Sequence, residues 1–264
     1  MNRSTVVGFI FGLGLVFLAI YWQLCKILNF ALWSIFFNSP SFLLVFGSTM
    51  AATFISFPLS EVMGAFRAFF VVFKKDPPEV ESNISEILYV IEQARKNGRG
   101  ALDAEIPKLD NFFLRDTVQL IWEGYHDQEI VDILEDRIAT RLRRERSESD
   151  IFSSMARISP AFGMVGTIIG LMITLNTMDP SHMDNMGTNM SLALITTFYG
   201  VLLAYMIFKP IATKLSRRML EEAFSMQVIR ESVPMISGRW HPIKAKDFLV
   251  SFVRPGKREE VLSG

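Results

Sequence analysis

The side chains in this sequence with chemistry to offer inside an apolar environment are hydroxyls. Gly163 to Leu175 reads GMVGTIIGLMITL, and Leu192 to Tyr205 reads LALITTFYGVLLAY. Thr167 lies in the middle of the first stretch and Thr196 and Thr197 in the second, with Thr174, Thr177 and Ser191 nearby. Placed on a helix, Gly163, Thr167, Gly170, Thr174 and Thr177 recur at steps of four and three and form one stripe. Ala193, Thr197, Gly200 and Ala204 form a matching stripe, with Thr196 beside it. Hydroxyl and carbonyl oxygens are the ligands a hard cation prefers once it has shed water. They cannot balance its charge, and an intramembrane cation or proton path needs an ionisable group. Here all 27 Asp and Glu residues, and His126, His182 and His241, fall outside the apolar stretches. The arrangement therefore predicts part of a site, completed by a carboxylate on a partner helix. The competing reading is packing alone. Small residues at these steps let two backbones approach, and each hydroxyl bonds the carbonyl four residues back.

Four apolar stretches must position these residues. The first, Val6 to Leu24, has 19 residues, about 28 Å at 1.5 Å per residue and enough to cross the hydrocarbon core. It ends in Tyr21-Trp22-Gln23 rather than in small residues, so it reads as an uncleaved span with an aromatic belt and not as a signal peptide. The second runs from about Ser41 to Leu59, the third from Ile158 to Met178 and the fourth from Met190 to Phe208. Ile27 to Phe37, ILNFALWSIFF, is too short to cross and predicts an interfacial segment. Between spans two and three, Ile84, Ile87, Leu88 and Ile91 follow helical spacing, as do Ile130, Ile133, Leu134, Ile138 and Leu142. Asp76-Pro77-Pro78 and Asn97-Gly98-Arg99-Gly100 interrupt it. Thr213 to Met235 is a further helical stretch. The expected fold is an all-α integral membrane protein. It has four transmembrane helices, a large helical cytoplasmic domain between spans two and three, and a cytoplasmic C-terminal helical tail. The expected divisions are 1–60, 61–156, 157–210 and 211–264.

Of the 27 Lys and Arg, fourteen fall in 60–157 and eleven from Lys209 onward, while Arg3 and Lys26 complete the set. The positive-inside rule then places both termini and the long segment in the cytoplasm. The weight rests on the charges next to the spans: Arg67, Lys74, Lys75, Arg157, Lys209, Lys214, Arg217 and Arg218. A net charge of zero offers no field to nucleic acid. The single cysteine, Cys25, excludes an internal disulfide framework. No phosphate-cradling glycine loop, metal-ligand cluster or nucleophile–base set can be argued from spacing, so neither an enzyme nor a cofactor is expected. The Met- and His-rich hairpin from Thr177 to Met186 reads as packing rather than metal binding.

ISPAFGMVGTIIGLMITLNTMDP followed by MSLALITTFYGVLLAYMIFKPIATKL resembles the last two spans of the MotA/PomA flagellar stator subunits, part of the MotA/TolQ/ExbB group of ion-driven motors. ARKNGRGALDAEI and GRWHPIKAKDFLVSF resemble that family's cytoplasmic segments. TolQ and ExbB relatives, with fewer spans, resemble the chain less. The resemblance implies a bacterial inner-membrane protein, a homopentamer surrounding a dimer of a single-span partner, MotB or PomB. The partner brings the membrane aspartate, and its periplasmic domain holds peptidoglycan. Ion passage past that aspartate turns the pentamer, whose cytoplasmic part pushes the rotor ring.

Carried over position by position, Thr167 matches a site that is threonine in sodium-type stators and commonly alanine in proton-type ones. Thr196 and Thr197 match adjacent threonines of span four. With Thr174 they form the expected ion pathway, for Na+ in preference to H+, and no other metal is implied. Pro160 and Pro210 match prolines at the cytoplasmic ends of spans three and four. Each restricts the residue before it and removes a backbone bond, so each is an expected pivot. The plain alternative is a helix start at Pro160 and a helix end at Pro210. Arg95, Lys96 and Asp103 match charged positions that meet the rotor protein, although the family usually has Glu where Asp103 stands. A solvated helix face is the plain alternative there. Arg157 stands where sodium-type relatives carry an acid, and Thr188 where some have proline. Two other readings stay open: a TolQ/ExbB-type motor for outer-membrane transport, gliding or defence, and a membrane scaffold that conducts nothing.

Overall fold

The computed structural model of the chain describes residues 7–8, 10–12, 14–16, 18, 21, 36, 38–72, 80–176, 183–253 and 255–258. Most of span one, the 27–37 segment apart from Phe36, the Pro77-Pro78 break and the hairpin residues 177–182 lie outside them. In chain order the helices are α1 (Ser39–Ser56), α2 (Leu59–Val71), α3 (Val80–Asn97), α4 (Phe112–Glu123), α5 (Asp127–Asn176), α6 (Met183–Leu202), α7 (Lys209–Glu231), α8 (Val233–Ser237) and α9 (Pro242–Val250). Short 3-10 turns occupy Arg99–Ala104 and Ile106–Lys108. Among the described residues every regular element is helical. Among the described residues, three helices are long and apolar enough to cross a membrane: α1, α5, and the one that runs on from Met190.

The chain divides into two compact units, residues 1–75 with 145–217 and residues 76–144 with 218–264. In the first unit, α1 begins where the Asn38 side chain accepts a bond from Ser41 N at 3.0 Å, a capping arrangement that satisfies one orphan donor. It ends at Ser56 because Phe57 is extended ahead of Pro58. Buried Thr49 and Thr53 donate to Val45 O and Thr49 O at 2.7 and 2.8 Å. That is how an apolar helix carries hydroxyls without orphaning them.

Two of the plain alternatives are set aside here. Pro160 does not start a helix: α5 runs unbroken for 50 residues and holds Pro160 inside it. The predicted 130–142 helix and the third span are therefore one element. The change in composition before Ile158 marks a change of surroundings, and the proline forfeits just the bond to the Ala156 carbonyl. Pro210 does not end a helix either. Leu203–Phe208 is π-helical, and α7 takes over at Lys209. The missing Pro210 N–H would have served the Met206 carbonyl, which lies inside this turn, where the bonding register has already shifted.

The second unit is built as a water-soluble bundle is. Ile84, Ile87 and Ile91 from α3, Leu114 and Ile121 from α4, Ile130 and Leu134 from α5, and Ile229 and Leu249 from the C-terminal part share one buried core. Both helical patterns read between spans two and three face this core. Residues of the C-terminal segment share this core. Gly98 at φ +80 ends α3 and Gly124 at φ +96 ends α4, conformations that disfavour any residue with a Cβ.

Candidate functional site

The site grows from a seam of small residues between α5 and α6. A Cβ placed on Gly166 would lie 2.6 Å from the Thr196 side chain, and one on Gly170 would lie 2.6 Å from Ala193 Cβ. One on Gly200 would meet Ser159 O at 2.8 Å, and one on Gly163 would meet Thr196 O at 3.0 Å. The two backbones therefore approach as closely as they do because these positions have no side chain. The 163/167/170 stripe and the 193/197/200 stripe do face each other.

Close approach brings five oxygens together. Thr167 Oγ1 and Thr197 Oγ1 are 2.5 Å apart. Thr167 also reaches Gly163 O at 3.2 Å and Ala193 O at 3.1 Å. Thr196 donates to Ala193 O at 2.7 Å and lies 3.2 Å from Gly163 O, while Thr197 lies 3.3 Å from the same Gly163 O. Three hydroxyl protons thus have two carbonyls and one another to bond. With Thr196 committed to Ala193 O, two arrangements satisfy the rest: Thr167 donates to Thr197 and Thr197 to Gly163, or Thr197 donates to Thr167 and Thr167 to a carbonyl. In both, hydroxyl lone pairs stay available, because each hydroxyl oxygen accepts twice. Thr196 is buried, whereas Thr167 and Thr197 are partly buried. The cluster offers neutral oxygen ligands and no counter-charge.

The remaining sequence-predicted residues fall in different places. Thr174 is buried and donates to Gly170 O at 2.8 Å, the bond to its own helix that the packing reading anticipates. Pro160 lies beside the seam, next to Gly200. Pro210 follows the π-helical turn. Gly166, Ser149 and Ser159 were not singled out from sequence. Ser159 Oγ donates to Gly200 O at 3.1 Å and Ser149 Oγ to Ala212 O at 2.9 Å, both buried. The signal was present: Ser149, Ala156, Ser159, Gly163, Gly166 and Gly170 extend one small-residue face toward the N-terminus of α5.

Arg95, Lys96 and Asp103 are exposed in the second unit, at the end of α3 and in the following turn. Lys96 pairs with Glu92 at 2.5 Å, and this pairing holds the Glu92 carboxyl below its ordinary range. The turn itself is anchored. Arg99 bonds the carbonyls of Ile121 and Tyr125 at the end of α4, the latter at 3.2 Å. Tyr89 donates to Glu105 Oε2 at 2.6 Å, and Lys108 meets Glu105 Oε1 at 2.9 Å. The Tyr89 hydroxyl and then the Lys108 ammonium hold the Glu105 carboxyl below its usual value. The same carboxylate raises the pKa values of Tyr89 and Lys108.

Fold and seam together define a class: an all-helical protein whose apolar helices pack through glycine and hydroxyls. A sequence profile of the MotA/TolQ/ExbB proton channel family matches residues 105–228. Uncharacterized protein YtxD of Bacillus subtilis is 33% identical over 225 residues, covering 85% of this chain and 81% of that one. Chemotaxis protein PomA of Vibrio alginolyticus is 30% identical over 259 residues, 98% of each. The flagellar MotAB stator complex from Bacillus subtilis matches in structure with a TM-score of 0.85 at 25% identity, over 98% of this chain and 99% of that chain. The chain belongs to the MotA/TolQ/ExbB family, among its MotA/PomA members.

Proposed function

We propose that this chain is a flagellar stator subunit that forms a cation channel with a single-span partner of MotB or PomB type. The observation that carries the reading is the convergence of the Thr167, Thr196 and Thr197 hydroxyls with the Gly163 and Ala193 carbonyls. These oxygens can replace part of a sodium ion's water shell, which favours Na+ over H+ as the transported ion. A cation in an apolar setting still needs a counter-charge, and a carboxylate on the partner helix would supply it. The B. subtilis neighbour is a MotAB complex by name, which supports a partner of that kind.

On this reading the chain is a multi-pass inner-membrane protein with cytoplasmic termini, assembled as a pentamer around the partner dimer. The ion gradient supplies about 2.3 kcal/mol per charge per 100 mV. Pro160 and Pro210 act as pivots, and Arg95, Lys96 and Asp103 meet the rotor. The test is swimming speed against external sodium at fixed pH. Speed should rise saturably with sodium. Thr167→Ala and Thr197→Ala should each blunt that response while the protein stays in the membrane, and full speed in both variants would overturn the ion-lining role.

A further inference from the structure

The seam restrains the rotation of α6 about its own axis from one side only, through bonds such as Ser159 Oγ to Gly200 O and Thr167 Oγ1 to Ala193 O. Restraints gathered along one face leave a helix more freedom to roll than restraints on two faces. A second directional restraint sits on another face. Tyr199 Oη donates to Phe36 O at 2.5 Å and accepts from Asn38 N at 3.1 Å. Its ring meets Phe42 edge-on at 5.7 Å, and neighbouring Phe198 meets Phe36 at 6.2 Å. At 100° per residue, Tyr199 lies roughly 110° round α6 from the centre of the 193/196/197/200 seam. Two contacts in such different directions fix a helix's rotation as well as its position, and hydrogen bonds supply the angular preference that packing lacks.

We propose that Tyr199 is a positioning residue: by latching α6 to the backbone ahead of α1, it holds α6, together with the bonds of the seam, at the rotation that brings Thr197 against Thr167. The bonds it makes are to backbone groups of Phe36 and Asn38, which keep those groups whatever side chains stand there. Its consequence for transport rests on the stator reading above, but the geometric claim does not.

The experiment pairs two readouts in the full chain coexpressed with its partner. Thr167→Cys and Thr197→Cys together place two sulfurs where the hydroxyl oxygens are 2.5 Å apart, so mild oxidation should cross-link them. Adding Tyr199→Phe, which keeps the ring and removes only the hydroxyl, should lower cross-link yield at least twofold at equal membrane abundance. Tyr205→Phe, on the neighbouring turn and exposed, is the control and should leave the yield unchanged. An unchanged yield in Tyr199→Phe overturns the proposal. In chains with native threonines, Tyr199→Phe should raise the half-saturating sodium concentration about fivefold, with the maximal rate less affected. If cross-linking falls but neither Tyr199→Phe nor Thr197→Ala alters the sodium response, the latch stands and the ion-lining reading fails.

Discussion

Helix α5 serves both units and packs by opposite rules along its length. Between Asp127 and Leu142 it turns Ile130, Leu134 and Ile138 into the core of the second unit and leaves charges such as Asp132 and Asp136 outside. It still buries Ile151, Phe152 and Met155 in the core of the first unit, but from Ser159 onward it is inside out. Ile168, Leu171 and Met172 point away from the unit, 57%, 45% and 64% exposed, while Ser159, Gly163, Gly166 and Gly170 are buried. In water, burying aliphatic area drives packing. Where the surroundings are as apolar as leucine, that drive is absent, and close backbone contact with hydroxyl–carbonyl bonds holds helices together instead. The seam and the core should therefore fail under different substitutions.

The largest effect is expected at the seam. Gly166→Val should abolish ion flux and deplete folded protein in the membrane, because even its Cβ would overlap Thr196. Gly187→Ala, where an added Cβ meets nothing within 4 Å, should leave both unchanged. Next comes the aliphatic core: Leu114→Ala or Ile121→Ala, each 0% exposed, should cost about 2–5 kcal/mol in denaturant unfolding. Leu171→Ala, on the outward face of α5, should cost under about 1 kcal/mol in the same detergent. Arg99→Ala removes the side chain that bonds the end of α4 and should cost about 1–2 kcal/mol.

A smaller effect should appear in the pH dependence of stability. The Glu105 carboxyl is lowered from its ordinary 4.5, so its contribution is present above that value and lost as pH falls through the lowered one. The melting difference between the parent and Glu105→Gln should be full at neutral pH and close in acid. Tyr89 and Lys108 run the other way. Both are raised from ordinary values of 10.0 and 10.5, so their contribution is lost as pH climbs through the raised values. Smallest of all, Arg95→Ala, Lys96→Ala and Asp103→Ala should each reduce torque at high load without abolishing rotation or moving the melting temperature, since solvated charges act weakly one at a time.

What was legible follows the same division. The core of the second unit was readable because aliphatic residues at helical spacing have one place to go in water: Ile84, Ile87 and Ile91 are all buried. The seam was readable in part. Gly163, Thr167 and Gly170 lie on the predicted stripe, but Gly166 escaped because the contact face is wider than a single four–three row. The union of the C-terminal residues with α3 and α4 was not readable, since Val233, Met235 and Leu249 declare their burial and not their neighbours. The continuity of α5 through Pro160 and the π-helical turn before Pro210 were hidden for a related reason. A proline states which bond is lost, while the surrounding packing decides whether the helix survives the loss.

The central claim is that the threonine cluster supplies oxygens but no charge, so that a second chain must complete the pathway. The most direct measurement is sodium flux into vesicles holding this chain alone, or with its single-span partner, or with that partner's membrane carboxylate replaced by the amide. Flux that rises with sodium in the second preparation and is absent from the first and third is the predicted result. Equal flux from the chain alone would contradict the account.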